Sequence, residues 1–291
     1  MRYYLDSTTL FIRGSFRAAS TGISGGIRTV STLISHSDQK NSPDPEKELE
    51  LITAREGIDR NYFGLLTTVP VMQCCILRYD FITVFITAGI RHGIQDAPGT
   101  INIIICSSEG MEVAALLETI MVATEAKAEA LHLINIPITG APGDAIIAAS
   151  EGTEKHPHAG RISEAGKRVR EAVLHGIPAA VRRFNAERSS ENPGFFIFSR
   201  IKGDHWVEWT PQDCPYYPCH FEGQRCEYCY CPFYPCGDDS LGQWAKGTGG
   251  GKIWNCARCA LIHESAIADY VKKFPGASRE ELVRRTHLSH S

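Results

Sequence analysis

Long hydrophobic runs are missing from this 291-residue chain. No apolar stretch approaches the roughly 18 residues that a membrane-spanning helix needs. The opening MRYYLDSTTL has neither the basic start nor the apolar core of a secretory signal, so a cytoplasmic location is expected. An excess of charge is absent too. Thirty Lys and Arg against 33 Asp and Glu leave a net charge of −3, which excludes the basic footprint of a nucleic-acid binder or a membrane-surface protein. The glycine cluster Gly22, Gly25 and Gly26 lacks the Gly-Lys-Ser/Thr ending of a phosphate loop. It reads as a turn whose amides come close to something, able to donate to an anion or oxyanion. No internal repeat is evident.

What the chain does have is cysteine, 11 in all. Cys74, Cys75 and Cys106 sit in apolar settings, while Cys214, Cys219, Cys226, Cys229, Cys231, Cys236, Cys256 and Cys259 crowd together. In a cytoplasmic chain these are thiols and metal ligands rather than disulfides. The two Cys-x-x-Cys pairs, 226/229 and 256/259, are the usual knuckles of a four-thiolate zinc site. The other four could make a second site, with His220 or His263 able to replace a ligand; spacing leaves open which cysteines pair with which, and two structural zinc ions are expected. An iron–sulfur cluster is the alternative, because thiolates alone do not choose. The aromatics around them suggest base stacking, but Arg225, Lys246, Lys252 and Arg258 are balanced by Glu222, Glu227, Asp238 and Asp239. They read instead as the mini-core of a domain that metal helps to fold. The shift in composition places one domain at 1–186, a linker ERSSENPG at 187–194 and a cysteine-rich domain at 195–291.

Within the first domain the pattern predicts a strand at 8–13 and a helix at 46–56 stopped by Gly57. Three runs at 63–69, 72–78 and 81–88 read as an antiparallel meander. A loop with Arg91, His92 and Asp96 precedes the apolar, β-branched strand at 101–106, which suits burial on both faces. Ser107 or Ser108 is expected to cap the long helix that follows. On it, Val113, Leu117, Ile120, Thr124, Lys127 and Leu131 fall on one stripe. Thr124 and Lys127 are therefore polar groups on an expected core face, where each needs a partner. The plainer readings are a Thr124 bond back to the Ile120 carbonyl and a snorkelling Lys127. A strand at 145–149 follows Asp144. His156 and His158 lie in a loop, and Ser163 caps a second long helix with the stripe Ala165, Val169, Ala172, Gly176 and Ala180, kinked at Pro178. One or two helices, broken near Pro275, close the chain. The expected fold is α/β or α+β: a strand-rich mixed sheet layered with two long helices, then a small metal-stabilised cysteine-rich domain.

From about 8 to 184 the chain resembles the adenosylcobinamide amidohydrolase family of corrinoid salvage. The resemblance rests on an ordered set: Ser20, Thr21, Gly25 and Gly26; Thr87, Ala88 and Gly89; Gly99, Thr100, Ile101 and Asn102; Thr124 to Lys127; Thr139, Gly140 and Asp144 to Ile146; Ala159 and Gly160. GAPGD stands where the family usually has a Gly-Thr-Gly-Thr-Asp type run, and Arg161-Ile162 displace a threonine. The segment PYYPCHFEGQRCEYCYCPFYPC also resembles a cysteine-rich small domain fused to this family and found elsewhere.

The resemblance implies hydrolysis of the amide joining the corrin propionyl arm to aminopropanol, which gives adenosylcobyric acid in cobalamin salvage. Cobalt would enter only within the corrinoid substrate. Such chemistry needs a nucleophile and its base, oxyanion donors, and an acid for the amine. The expected assignment makes Glu125 or Asp144 the base on water and Lys127 the proton donor or electrostatic stabiliser. Asn102 and the amides of Gly25 and Gly26 would face the oxyanion. A rival makes Thr124 the nucleophile with Lys127 as its base. Ser20, Thr21, Gly25, Gly26, Thr87, Gly89, Gly99 and Thr100 are expected to bind substrate. A second reading is a non-catalytic corrinoid-binding or sensing protein whose tail contacts a partner. A third, hydrolysis at the tail's zinc, needs an open coordination position that two four-thiolate sites would not leave.

Overall fold

The computed structural model describes residues 1–291 apart from 7, 39–41, 60, 91–98, 186–195, 201–205, 210–219, 222–223, 226–230, 232, 234–235, 247–251, 275–276 and 290–291. The sequence expectations for Arg91, His92, Asp96, the 187–194 linker, Cys214, Cys219, Cys226 and Cys229 concern positions outside the described residues.

A ten-stranded mixed sheet carries the fold. Strand β1 (Arg2–Asp6) pairs antiparallel with β2 (Thr9–Ser20), and β3 (Gly26–Ser37) returns along β2. The predicted 8–13 strand is thus the first part of a longer one, and the glycine cluster is the turn of a hairpin. Gly26 takes φ +114, a conformation that side chains disfavour. Helix α1 (Pro45–Arg55) starts where Asp44 Oδ1 accepts from the Lys47 amide and ends before Gly57, at φ +63.

Strand β4 (Tyr62–Thr67) runs parallel to β3, and the antiparallel meander begins one strand later than predicted, with β5 (Cys75–Tyr79), β6 (Ile82–Ala88) and β7 (Ile101–Ser107). The reason is the connection. Pro70 opens a 3₁₀ turn over Val71–Gln73, which is no hairpin and frees β4 to pair elsewhere. After β8 (Gly110–Met111) comes α2 (Val113–Leu133). Next, β9 (Ala145–Ser150) inserts between β7 and β2, and β10 (Glu154–His156) pairs with β8. Helix α3 (Glu164–Asn185) then crosses the sheet, its Gly166 amide capped by Ser163 Oγ at 3.0 Å.

Strand β11 (Phe196–Arg200) lies parallel to β5, and β12 (Val207–Trp209) lies antiparallel to β11. The sheet order is β12-β11-β5-β6-β7-β9-β2-β3-β4. The first domain's sheet therefore continues past residue 195, where the composition shift had suggested a new domain. Strands β13 (Gln243–Lys246) and β14 (Lys252–Asn255) form a separate hairpin. Helices α4 (Ser265–Lys273) and α5 (Arg279–Ser289) follow, on either side of Pro275. Among the described residues no helix is long and apolar enough to cross a membrane.

Alternation sorts the sheet's side chains. Ile82, Val84 and Ile86 of β6 and Ile101, Ile103 and Ile105 of β7 face α2 and α3. Phe85 and Ile104 face the other way, into a core with Leu10, Ile12, Leu33, Phe63 and Leu65. The sheet curls around this second core until its last strand, β4, reaches β7. There Asn102 Nδ2 donates to the Leu66 carbonyl at 2.6 Å, and the Thr67 and Thr100 hydroxyls meet at 2.9 Å.

The expected α2 stripe is corrected. Leu117 and Thr124 are exposed, and the buried face is Ala115, Leu116, Thr119, Val122, Ala123, Ala126, Lys127, Ala130 and Leu131. Bulk misled the reading, because close packing against α3 and the sheet selects small residues. On α3 the predicted stripe is buried as expected, and the buried face holds two glycines with no room to spare, Gly176 of that stripe and Gly166 beside it. A Cβ on Gly166 would stand 2.1 Å from the Gly160 carbonyl oxygen, and one on Gly176 would stand 2.6 Å from side-chain atoms of Ile86 and Leu77. Pro178 sits within α3 without ending it. Ser107 and Ser108 do not cap α2; β8 intervenes, and Glu112 is the N-cap.

A third core joins the two ends of the chain. Phe11 and Ile34, on the outer face of β2 and β3, pack with Leu49 and Ile52 of α1 and with Ile262, Ile267, Val271 and Leu282 of the tail. Leu282 is fully buried in it. Leu282→Ala is expected to lower the unfolding free energy of the full chain by about 2–5 kcal/mol within one cooperative urea transition. A separate low-stability transition that leaves the main one in place would show that the tail unfolds alone.

Candidate active site

The N-terminal end of β7 gathers most of the sequence-predicted residues. Asp144, in the approach to β9, is the hub. Its Oδ1 accepts from the Ile101 amide at 2.7 Å, and its Oδ2 accepts from the Ala141 amide at 3.0 Å and from Lys127 Nζ at 2.5 Å. Lys127 comes from α2 and is only 6% exposed. It does not snorkel to solvent; its partner is a buried carboxylate. Gly140 makes room for the pair, since a Cβ there would lie 2.5 Å from Lys127 Nζ and 2.6 Å from Asp144 Oδ2.

Asn102 points to the opposite face and is held at both ends, with Nδ2 on Leu66 O and Oδ1 accepting from the Ala145 amide at 3.1 Å. This two-headed clamp joins β4, β7 and β9. Thr87 stands beside it on β6 as its cross-strand partner. Gly89 and Gly99 flank the same end: the Gly89 amide donates to Thr100 O, and a Cβ on Gly99 would meet Gly89 O at 2.4 Å. Thr21 exchanges hydrogen bonds with the backbone of Ile146, and Ser20 Oγ accepts from the Gly22 amide. Ser20, Thr21, Thr87, Gly89, Gly99, Thr100, Asn102, Lys127 and Asp144 are thus brought to one mouth of the curled sheet.

Others are not. Thr124 is exposed and donates back to the Ile120 carbonyl at 2.8 Å, the plainer of its two expected roles. Glu125 is exposed, about 200° around α2 from Lys127. The Gly25 amide is spent on Gly22 O, and Gly26 is open to solvent. Thr67 and the Leu66 carbonyl belong to the mouth and were missed. Their only signal is a strand that ends in Thr67 and Thr68, and nothing in the sequence pairs that strand with β7.

A second polar cluster lies at the far end of β7. Glu109 receives Lys155 Nζ and His156 Nε2, each at 2.6 Å, and the His156 ring stacks on Phe81. Burial works against ionising Glu109, but the hydrogen bonds from Lys155 and His156 outweigh it and hold its pKa below the ordinary value. His156 is therefore a structural partner, while His158 is exposed beside Glu118.

In the tail, Cys231, Cys236, Cys256 and Cys259 are free thiols that feel one another's charge. Burial above all, with a smaller contribution from the neighbouring thiols, pushes Cys231 up to about 12 and Cys256 up to about 11. The 256/259 knuckle thus neighbours Cys231 and Cys236, a grouping that spacing alone had left open. Among the described residues no group of three or more His, Cys, Asp or Glu is arranged to hold a metal ion.

The space at Gly140 gives a direct check on the hub. Gly140→Ala is expected to push Lys127 off Asp144 and destabilise the chain by about 1–3 kcal/mol, read from the urea midpoint. An unchanged midpoint would mean that the loop moves aside freely.

The family described as adenosylcobinamide amidohydrolase matches residues 5–189, and the one described as cysteine-rich small domain matches residues 205–286. A protein named adenosylcobinamide amidohydrolase from Methanosarcina mazei is 34% identical over 195 residues, covering 62% of this chain and 98% of its own. One of the same name from Halobacterium salinarum is 29% identical over 133 residues, 40% of this chain and 57% of its own. A probable cobalt-factor III C(17)-methyltransferase from Methanothermobacter thermautotrophicus is 46% identical over 66 residues, 22% of this chain and 18% of its own. No solved structure matches significantly. With a buried Lys–Asp pair at the mouth of its curled sheet and a match over most of that sheet, the chain belongs to the adenosylcobinamide amidohydrolase family.

Proposed function

We propose that this chain hydrolyses the amide between the propionyl arm of adenosylcobinamide and aminopropanol, releasing adenosylcobyric acid. The observation that carries the reading is the Lys127–Asp144 pair, buried at the strand mouth of a chain in this family. The named relatives favour an enzyme over a non-catalytic corrinoid sensor.

Amide hydrolysis requires water to lose a proton as it adds to the carbonyl carbon, charge to be held on the carbonyl oxygen, and the amine to gain a proton as it leaves. Of the two carboxylates considered as the base, Asp144 is the one beside the ammonium. Its Oδ1 accepts one hydrogen bond and keeps a second lone pair for the water proton. Lys127 faces the developing oxyanion and carries the proton the amine needs. Held by Asp144 in a site that excludes most water, its charge acts more strongly than it would in solution. Asn102 serves as a positioning residue, since its amide is committed to the strands it joins. The Thr124 nucleophile is not favoured, because its hydroxyl faces solvent and Lys127 is engaged elsewhere.

For the tail, soft thiolate donors suit zinc, and the donor set Cys231, Cys236, Cys256 and Cys259 fits by its chemistry. When bound, a zinc ion would tie the 231–236 segment to the turn after β14 and would displace the thiol protons that burial retains. Cys214, Cys219, Cys226 and Cys229 would take a second ion. The 195–291 segment is then a cysteine-rich module built onto the first domain's sheet.

The test incubates the full chain with adenosylcobinamide and follows aminopropanol and adenosylcobyric acid by chromatography. Wild type is expected to form both products. Lys127→Met, which keeps the bulk, is expected to lose on the order of 10²–10³-fold in kcat while still binding the corrinoid. Full activity in that variant would remove Lys127 from the chemistry. Corrinoid bound and returned intact by the wild type would favour the sensor reading.

A further inference from the structure

Among the described residues, buried polar side-chain atoms without partners occur toward one end of the curled sheet. Ser35 Oγ, Ser37 Oγ, Thr87 Oγ1 and Gln73 Oε1 have no hydrogen-bond partner, although Ser35, Ser37 and Thr87 are 4%, 5% and 2% exposed. Ser35 and Ser37 continue the parity of Leu33 on β3, and Thr87 continues that of Phe85 on β6. All three therefore face the inside of the curled sheet. Their strands meet at the mouth. Ser37 pairs in register with Thr67, Thr67 bonds Thr100, and Thr87 pairs in register with Asn102. The turn bearing Gln73 packs on β3. Ser35 stands in register between Leu10 and Leu65, and deeper along the same face the side chains are Ile12, Phe63 and Ile104, so the polarity is concentrated at the Ser37 and Thr87 end. A buried hydroxyl without a partner forfeits its hydrogen bonds to water, and native interiors seldom keep several together without something that satisfies them.

We propose that this polar end of the curled sheet is the subsite for the hydroxylated amine arm of the substrate. The inference rests on the amide-hydrolase reading. The aminopropanol side of the amide enters between β3 and β6, and its hydroxyl exchanges hydrogen bonds with Ser37 and Thr87. The corrin macrocycle, far too wide to follow, stays outside. The chemistry matches. The arm offers a hydroxyl that both donates and accepts and an amide N–H that donates, opposite serine and threonine hydroxyls that do either and a glutamine oxygen that only accepts. Specificity then comes from the leaving group, because an analogue lacking the hydroxyl leaves the buried groups unpaired.

Adenosylcobinamide would be compared with its dehydroxy analogue, in which propylamine replaces aminopropanol. Binding to the full chain is read by equilibrium dialysis with corrinoid absorbance, and turnover by chromatography. The analogue is expected to bind and react on the order of 10- to 100-fold less well. Ser37→Ala and Thr87→Val should each shrink that ratio by weakening only the natural compound, and Thr87→Ser, which keeps the hydroxyl, should restore it. Equal handling of both compounds by the wild type, or a ratio untouched in both variants, overturns the subsite and leaves these hydroxyls to ordered water. Binding is measured apart from turnover, so the two readings fail separately. Discrimination without hydrolysis would sink the hydrolase and keep the subsite, whereas hydrolysis without discrimination would do the reverse.

Discussion

One amide side chain closes the fold. The backbone ladder places β4 at one end of the sheet order, and nothing in that ladder joins it to β7. Asn102 does so, donating to Leu66 O on one side and accepting from Ala145 N on the other. A buried amide satisfied at both ends is worth more than its net hydrogen-bond energy, since removing it would leave a carbonyl and an N–H unpaired inside the protein. The same link fixes the shape of the mouth. It sets where Thr67 meets Thr100, where Thr87 stands, and how closely the Asp144 loop lies on the start of β7. Strand closure and site geometry are thus one constraint, and Asn102 serves both by position.

How legible this was in the sequence depended on whether the signal was local. The α3 stripe, the Ser163 cap, the Gly57 stop and the two closing helices were readable because each rests on side chains within a few residues of one another. The α2 stripe was misread. Leu117 and Ile120 are the bulkier residues, but the buried face is built from alanines that let α2 approach α3. Lys127 was flagged correctly as a polar group on a core face, although the stripe that flagged it was the wrong one; it happens to lie where the two faces overlap. The parallel pairing of β4 with β3 was not legible at all, because the choice between neighbours is made by the curl of the whole sheet and not by the strand's own residues.

The tail illustrates the same limit at larger scale. Cysteine spacing announced a separate metal-stabilised unit, and the family comparison finds a distinct cysteine-rich domain there. Yet β11 and β12 extend the first domain's sheet along β5, and Ile262, Ile267 and Leu282 share a core with Phe11 and Ile34. Composition reports which residues need metal to fold; it is silent on what their outer faces cover. Here they cover β2, β3 and α1, on the outer face of the curled sheet. The tail thus borders the wall of the mouth at Leu66 and Ile23, which pack against this shared core.

The Lys127–Asp144 pair is the feature that stability alone explains least. Bringing an ammonium and a carboxylate out of water costs several kcal/mol per ion, and their mutual attraction, even with two backbone amides on the carboxylate, returns roughly that amount. An apolar pair of similar volume would serve the packing of α2 against the Asp144 loop as well or better. The loop gives up a side chain at Gly140 to make room for the pair, at a further entropic cost to the unstrained chain. A fold that accepts both costs at the open end of its central strand is consistent with the proposed role of the pair, a charge kept where a reaction needs one. Amide cleavage is such a reaction, because the amine cannot leave without a proton and the carbonyl oxygen cannot hold its charge unaided.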